Sequence, residues 1–336
     1  MDIITHRLLG IDHPEPKKYQ VISVDQTIAL GISSVVPKEE KTHNLINNED
    51  AAAVVQIPEL EITLAMVADS HDGYVASHEA VKLFPEFLLK TGIKQADTEE
   101  QIKQKYVDAL ILLSDTLPNI ISSSKIIYER KNVHPIGDHS STTFMSVLKI
   151  ASNYYYLGTG DSFFARIRDN QLKIGASGRN FIGSNDGLSI KLIENNPEYK
   201  RLEKMIEDQA NRNGYDYDAP GIKELSIQRN VMYSMKLPST YTLDYVAQIL
   251  PVRKLDVQTG DTLLLCTDGY DLRQKIICTE IKPLQELTIE LVKQYPQPEQ
   301  ALKELFETIL DRKKLSSQYK GASVDDNVAA ILLRIN

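Results

Sequence analysis

Five aspartates in this chain stand where a run of apolar, β-forming residues begins, ends or turns. The run from Leu60 to Ala68 ends at Asp69, and the run from Thr262 to Cys266 ends just short of Asp268. Ala51 to Ile57 starts directly after Glu49-Asp50, Val328 to Ile335 starts directly after Asp326-Asn327, and Gly160-Asp161-Ser162 turns between two further runs. In antiparallel pairing, strands that run toward an edge and strands that leave it put such acids on the same side of a sheet. Recurrence carries the weight, because Asp72-Gly73 is a common turn pair and Asp69-Ser-His-Asp72 alone is more often a solvated loop than a site. Carboxylates gathered without cations repel one another, and the low-energy remedy is a hard divalent ion, Mg²⁺ or Mn²⁺, with water completing an octahedral shell. Two such ions roughly 3.5–4 Å apart activate a water between them and clamp a phosphoryl group for in-line attack.

Composition narrows the alternatives. The 336 residues are 42% hydrophobic and 25% charged, which is ordinary for a soluble globular protein. A formal net charge of −8 argues against a general nucleic-acid or anionic-membrane binder, since either needs a basic face. Two cysteines, Cys266 and Cys278, are too few for a disulfide framework, and Cys266 lies inside an apolar run. The amino terminus lacks a continuous apolar signal region, and no apolar run approaches the roughly 20 residues that span a bilayer. The expected protein is cytoplasmic, monomeric and free of nucleic acid and membrane. With no internal repeat, low-complexity tract or polar linker, residues 1–336 read as a single domain.

Taken in order, residues 1 to 16 are polar and expected on the surface, and Tyr19 to Ser34 reads as one or two strands broken at Gly31. The two acid-tipped runs 51–57 and 60–68, joined by Pro58-Glu59, read as a hairpin whose open end carries Asp50 opposite Asp69. A helix with period-3.6 apolar residues Ala80, Val81, Phe84, Phe87 and Leu88 follows, and Pro85 predicts a kink or a restart in it. Thr98 with Gln101 fits a capping box at the start of a second helix. Strands are expected at 144–150, 154–157, 163–167 and 172–174. Residues 176 to 225, rich in glycine around a helix from Asn196-Pro197 to about Arg212, read as a surface flap or insertion. After Asp268 two helices are expected, the second carrying Ala301, Leu302, Leu305, Phe306, Ile309 and Leu310 on one face.

Asn48-Glu-Asp50, Val67-Ala-Asp-Ser-His-Asp-Gly73, Ser140-Ser-Thr142, Gly160-Asp-Ser162, Gly260-Asp-Thr-Leu-Leu-Leu-Cys-Thr-Asp-Gly269 and Asp326-Asn327 resemble, in this order, the motifs of the PP2C-type (PPM) metal-dependent serine/threonine protein phosphatases. The resemblance runs over about residues 19 to 335. It implies an α+β fold, a four-layer α-β-β-α sandwich of two antiparallel sheets, with two or three Mn²⁺ or Mg²⁺ ions at one end. On that pattern Asp69 bridges two ions, the Ser70 carbonyl binds one of them, and Asp268 and Asp326 complete that ion's protein ligands. Glu49 and Asp50 act mainly through metal-bound water, Asp161 matches an acid that helps to hold a further ion, and His71 matches the general acid. The implied partner is a phosphorylated protein.

The departures from the pattern are specific. Ser70 and Asp72 stand where the family has glycines, and Leu45 stands where eukaryotic members carry a phosphate-binding arginine. Lys41 and His43 are the candidate substitutes for that arginine. Against the reading as an active phosphatase stand a pseudophosphatase that binds a phosphorylated partner without turnover, which Leu45 and Asp72 favour, and a phosphohydrolase of small esters. Retention of Asp69, Asp268 and Asp326 together favours catalysis.

Overall fold

The structure is a computed structural model. It describes residues 2–12, 15, 17–34, 48–71, 74–123, 141–160, 162–175, 182–183, 201, 204–205, 208–209, 252–270, 272, 282–319, 324 and 326–336. Its strands in chain order are β1 (Ile4–Leu9), β2 (Lys18–Ser23), β3 (Ile28–Ser34), β4 (Asp50–Ile57), β5 (Ile62–His71), β6 (Ser141–Thr142), β7 (Phe144–Ile150), β8 (Asn153–Thr159), β9 (Phe163–Arg168), β10 (Gln171–Gly175), β11 (Ile182–Gly183), β12 (Arg253–Lys254), β13 (Thr262–Cys266) and β14 (Val328–Arg334). The helices are α1 (Val75–Lys90), α2 (Glu99–Ser123), α3 (Lys282–Gln294), α4 (Pro298–Leu310) and α5 (Arg312–Gln318).

Two antiparallel sheets result. One is eight-stranded with the order β1-β4-β5-β7-β8-β12 and with β6 and β11 attached beside β5; the other is six-stranded with the order β10-β9-β13-β14-β3-β2. Side chains alternate across each strand, so each sheet has two apolar faces to bury. Ala51, Ala53, Val55 and Ile57 of β4 pack in one cluster with Phe84 of α1 and Tyr106 and Leu110 of α2. Their neighbours Ala52 and Val54 face the opposite way, into a cluster with Leu30, Ile32, Leu263, Leu265 and Ile331 from the second sheet. The outer face of that sheet, with Leu264, Cys266, Ala330 and Leu332, packs on Leu287 of α3 and on Leu305 and Phe306 of α4. Three separate apolar interfaces between four layers make an α-β-β-α sandwich, the fold class expected from the motifs.

Several local expectations hold with their chemistry visible. The Pro58-Glu59 connection is a 3-10 turn closed by Glu61 in the left-handed region, and it sets the β4–β5 register. Thr98 and Gln101 form the reciprocal capping box: the Thr98 amide donates to the Gln101 side chain at 2.9 Å, and the Gln101 amide donates to the Thr98 hydroxyl at 3.3 Å. No helix among the described residues is long and apolar enough to cross a membrane.

Others are corrected. The amino-terminal segment is mostly exposed, as expected, but it also contributes β1, an edge strand paired with β4 from Ile4 against Gln56 to Leu9 against Ala51. Its pattern is too short and polar to announce a strand, because an edge strand buries little. Gly31 does not break its run but sits inside β3 opposite Val21 and Ala330. A Cβ there would lie 2.3 Å from Cε2 of Phe306 and 3.1 Å from Cγ2 of Val21, so the glycine lets α4 approach the sheet. Helix α1 does not restart at Pro85 but runs on through it to Lys90. Pro85 is buried there among tertiary contacts that compensate the lost backbone bond. The segment after Asp268 holds a third, short helix, α5, started by the Asp311 side chain accepting from the amides of Lys313 and Lys314.

Replacing Gly31 with alanine should lower stability by about 1–3 kcal/mol, the usual cost of overpacking a tight core. Chemical denaturation checks it, and pairing Gly31→Ala with Phe306→Leu should recover part of the loss by vacating the ring position.

Candidate metal centre

The hairpin places the first two acids face to face, with Asp50 and Asp69 as direct partners in the β4–β5 register. One end of this pair is held by the turn into β7. The Asp69 amide donates to Oγ1 of Thr143 at 3.1 Å, while the Asp69 carbonyl accepts from the Thr143 amide at 2.8 Å and from Oγ1 of Thr142 at 2.9 Å. Thr143 in turn shares a hydrogen bond of 2.5 Å with Oγ of Ser162. Thr142 and Thr143, at the end of a stretch weak as a motif, thus act on the backbone of Asp69.

The other acids come from the second sheet. Asp268 opens a 3-10 turn, Asp268–Tyr270, at the end of β13, and Asp326 precedes β14. Gly269 lies so close to the facing segment that a Cβ on it would fall 1.8 Å from the Asn327 carbonyl oxygen. This close approach sets the Asp268 turn against Asp326-Asn327, and only a glycine permits it.

Two buried side chains tie the sheets together here, each lying within one of the motifs but given no role of its own by the sequence. Thr267, fully buried, donates its hydroxyl to Oδ2 of Asp50 at 3.1 Å and accepts from the Ala329 amide at 2.9 Å. Its own amide donates to the Ala329 carbonyl at 3.0 Å, so it joins β13, β14 and β4. Asn48 donates from Nδ2 to the Ser33 carbonyl at 3.1 Å and to Oγ of Ser34 at 3.0 Å, while its Oδ1 accepts the Asp50 amide at 3.0 Å. The available signal was position: each polar residue directly adjoins an acid at a strand end.

Electrostatics reflect this crowding. Burial, then the charges of Asp326 and Asp268, hold Asp50 well above the ordinary carboxylate range despite its hydrogen bonds with Asp69 and Thr267. Asp69 is pushed up the same way, by burial and by Asp50, Asp268 and Asp326. Glu49 is partly buried beside the pair, Ser70 is buried, and Asp326 is exposed. The backbone of His71 closes β5. Lys41, His43, Leu45, Asp72 and Asp161, and nearly all of the expected flap at 176 to 225, lie outside the described residues.

Among the described residues no three His, Cys, Asp or Glu side chains close around a single point as ligands of an ion do. Asp268 and Asp326 nevertheless stand near enough to push both Asp50 and Asp69 upward. An all-oxygen donor set whose members repel fits a hard divalent cation such as Mg²⁺ or Mn²⁺ better than a thiophilic metal.

Fold and site together define an α-β-β-α sandwich with a carboxylate cluster at the rim shared by its two sheets. No protein-family model and no curated protein matches the chain in sequence. Among solved structures it is similar to the serine/threonine phosphatase PstP/Ppp of Mycobacterium tuberculosis, at 16% identity over 95% of this chain and 98% of that one, with a TM-score of 0.47. It is also similar to the S. agalactiae serine/threonine phosphatase, at 12% identity over 95% of this chain and 100% of that one, TM-score 0.48. A third is the PPM phosphatase MsPP of Mycobacterium smegmatis, solved with cacodylate, at 16% identity over 95% and 98% of the two chains, TM-score 0.44.

Thr267→Val should cost about 1–3 kcal/mol, because it strands the Ala329 amide and removes a donor from Asp50 in a buried place. Thr267→Ser should restore most of it, and denaturation midpoints of the three proteins decide the matter.

Proposed function

We propose that the chain is a PP2C-type (PPM) metal-dependent phosphatase that hydrolyses phosphoserine and phosphothreonine in a protein partner in the cytoplasm, with residues 1–336 forming one phosphatase domain. The single observation that carries this reading is the direct pairing of Asp50 with Asp69, within the field of Asp268 and Asp326 from the other sheet. Four separate motifs of the sequence thereby meet at one rim, in the order and identity of the family's motifs.

On this reading Asp69, the Ser70 carbonyl, Asp268 and Asp326 would hold one of two Mn²⁺ or Mg²⁺ ions, and Asp69 would also serve the second. Glu49 and Asp50 would act through water at the site, and Asp161 would serve a further ion. The ions, when bound, supply positive charge to the phosphoryl oxygens and lower the pKa of water. The protein's own part is orientation. Asp69 is held at both its amide and its carbonyl and Asp50 at its amide and carboxylate, so each reaches the rim with little freedom left to lose. His71 keeps a proton for the departing serine or threonine oxygen. Lys41 and His43 take the place of the arginine missing at Leu45 in binding phosphate.

The test is hydrolysis of p-nitrophenyl phosphate and of a phosphothreonine peptide with and without Mn²⁺. Both should be cleaved only with metal, and Asp69→Asn and Asp268→Asn should each abolish turnover while the metal-free proteins stay folded by circular dichroism. Their metal-free stability should stay level or rise, since each change relieves repulsion. Unchanged hydrolysis in both variants would remove the metal-site assignment. A folded, Mn²⁺-binding wild type that cleaves neither substrate would favour the pseudophosphatase.

A further inference from the structure

The amino-terminal turn of α1 is fastened to the acidic rim by a set of hydrogen bonds that the metal-site reading does not use. Tyr74, which precedes α1, offers the helix no side-chain cap. The missing acceptor comes from the strand instead: Oγ of Ser70, buried at the end of β5, accepts the amide of Ser77 at 2.7 Å. Ser77 then returns the connection, its hydroxyl set between the backbone carbonyls of Glu49 and Tyr74 and closest to that of Glu49. That carbonyl also accepts the Ser70 amide, at 3.4 Å. The next residue of the helix, His78, is buried beside it. Ser77 and His78 are both buried, fully or nearly so.

One side chain of the helix therefore holds the Glu49 carbonyl, just ahead of the strand that begins at Asp50. The same helix is capped by the hydroxyl of Ser70, near the end of β5. We propose that Ser77 is a positioning residue of the rim: by closing the loop of bonds between Glu49, Ser70 and itself, it fixes Glu49 relative to the Ser70 carbonyl and so sets the affinity for a divalent cation. The proposal rests on the metal-site reading above and goes beyond it, to a helix residue that touches neither ion nor substrate. A serine at position 70, where the related motif has glycine, is what makes the loop possible, since glycine has no hydroxyl to cap α1.

The groups that orient metal ligands, when removed, commonly cost about 10–100-fold in metal affinity. Ser77→Ala should therefore raise the Mn²⁺ dissociation constant about tenfold by calorimetry on the purified protein, and Ser77→Thr, which keeps the hydroxyl, should stay near wild type. Ser70→Ala, which keeps the Ser70 carbonyl but removes the cap, should weaken Mn²⁺ binding in the same direction and serves if Ser77→Ala fails to fold. Urea unfolding of the metal-free proteins runs alongside. A role confined to stabilising α1 would lower the urea midpoints and leave the Mn²⁺ dissociation constants of both alanine variants at the wild-type value, and that result overturns the proposal while sparing the metal site. Failure of the wild type itself to bind Mn²⁺ overturns the metal site and this inference with it.

Discussion

The constraint on which the rest of this structure depends is the direct pairing of two carboxylates, Asp50 buried and Asp69 partly so, across one hairpin. Asp50 and Asp69 would separate, or take up water, in any arrangement free to relax. They stay together because each is held by several other atoms. The Asp50 amide is taken by Asn48 and its carboxylate by Thr267, while Asp69 is held at both backbone groups by Thr143 and at its carbonyl by Thr142 as well. Repulsion at the rim is thus balanced by rigidity behind it, the condition under which a binding site can be organised before its ligand arrives.

That rigidity is a property of the layered core. Each sheet is clamped between two apolar interfaces, with Ala52 and Val54 meeting Leu30 and Ile331 on the inside and Val55 and Ile57 meeting the α1–α2 pair on the outside. Because side chains alternate, a slip of one residue between β4 and β5 would turn the apolar sets around and carry Asp50 away from Asp69. Core packing and site geometry are therefore one requirement. Small side chains serve it too: Ala51, Ala52 and Ala53 in succession leave room for large partners on both faces.

The two sheets do not share strands, so the rim exists only where they are tied. Thr267 and Asn48 make those ties with hydrogen bonds that cross from one sheet to the other, while within the second sheet Gly269 lets the Asp268 turn approach Asn327. The apolar inner layer fixes the separation of the sheets, and these polar contacts fix their alignment. Hydrophobic burial is non-directional and could not choose one alignment alone, whereas a hydrogen bond weakens steeply when misdirected.

Much of the fold was legible in the sequence. The acid-tipped runs at Asp50, Asp69, Asp268 and Asp326, the hairpin across Pro58-Glu59, the capping box at Thr98 and the α4 stripe of Leu302, Leu305 and Ile309 are local signals, set by a side-chain period or by contacts a few residues long. What escaped it was decided by partners far away in the chain. β1 is a strand because β4 offers it an edge, Gly31 is continuous because Phe306 lies over it, and Pro85 sits within α1 because burial outweighs one lost backbone bond. The same holds for the site: composition and spacing named its acids, but Thr267, Asn48 and Ser77 act across 217, 15 and 28 residues of sequence. A threonine, an asparagine and a serine look alike in a loop or a core until the tertiary structure supplies the group at the other end of the hydrogen bond.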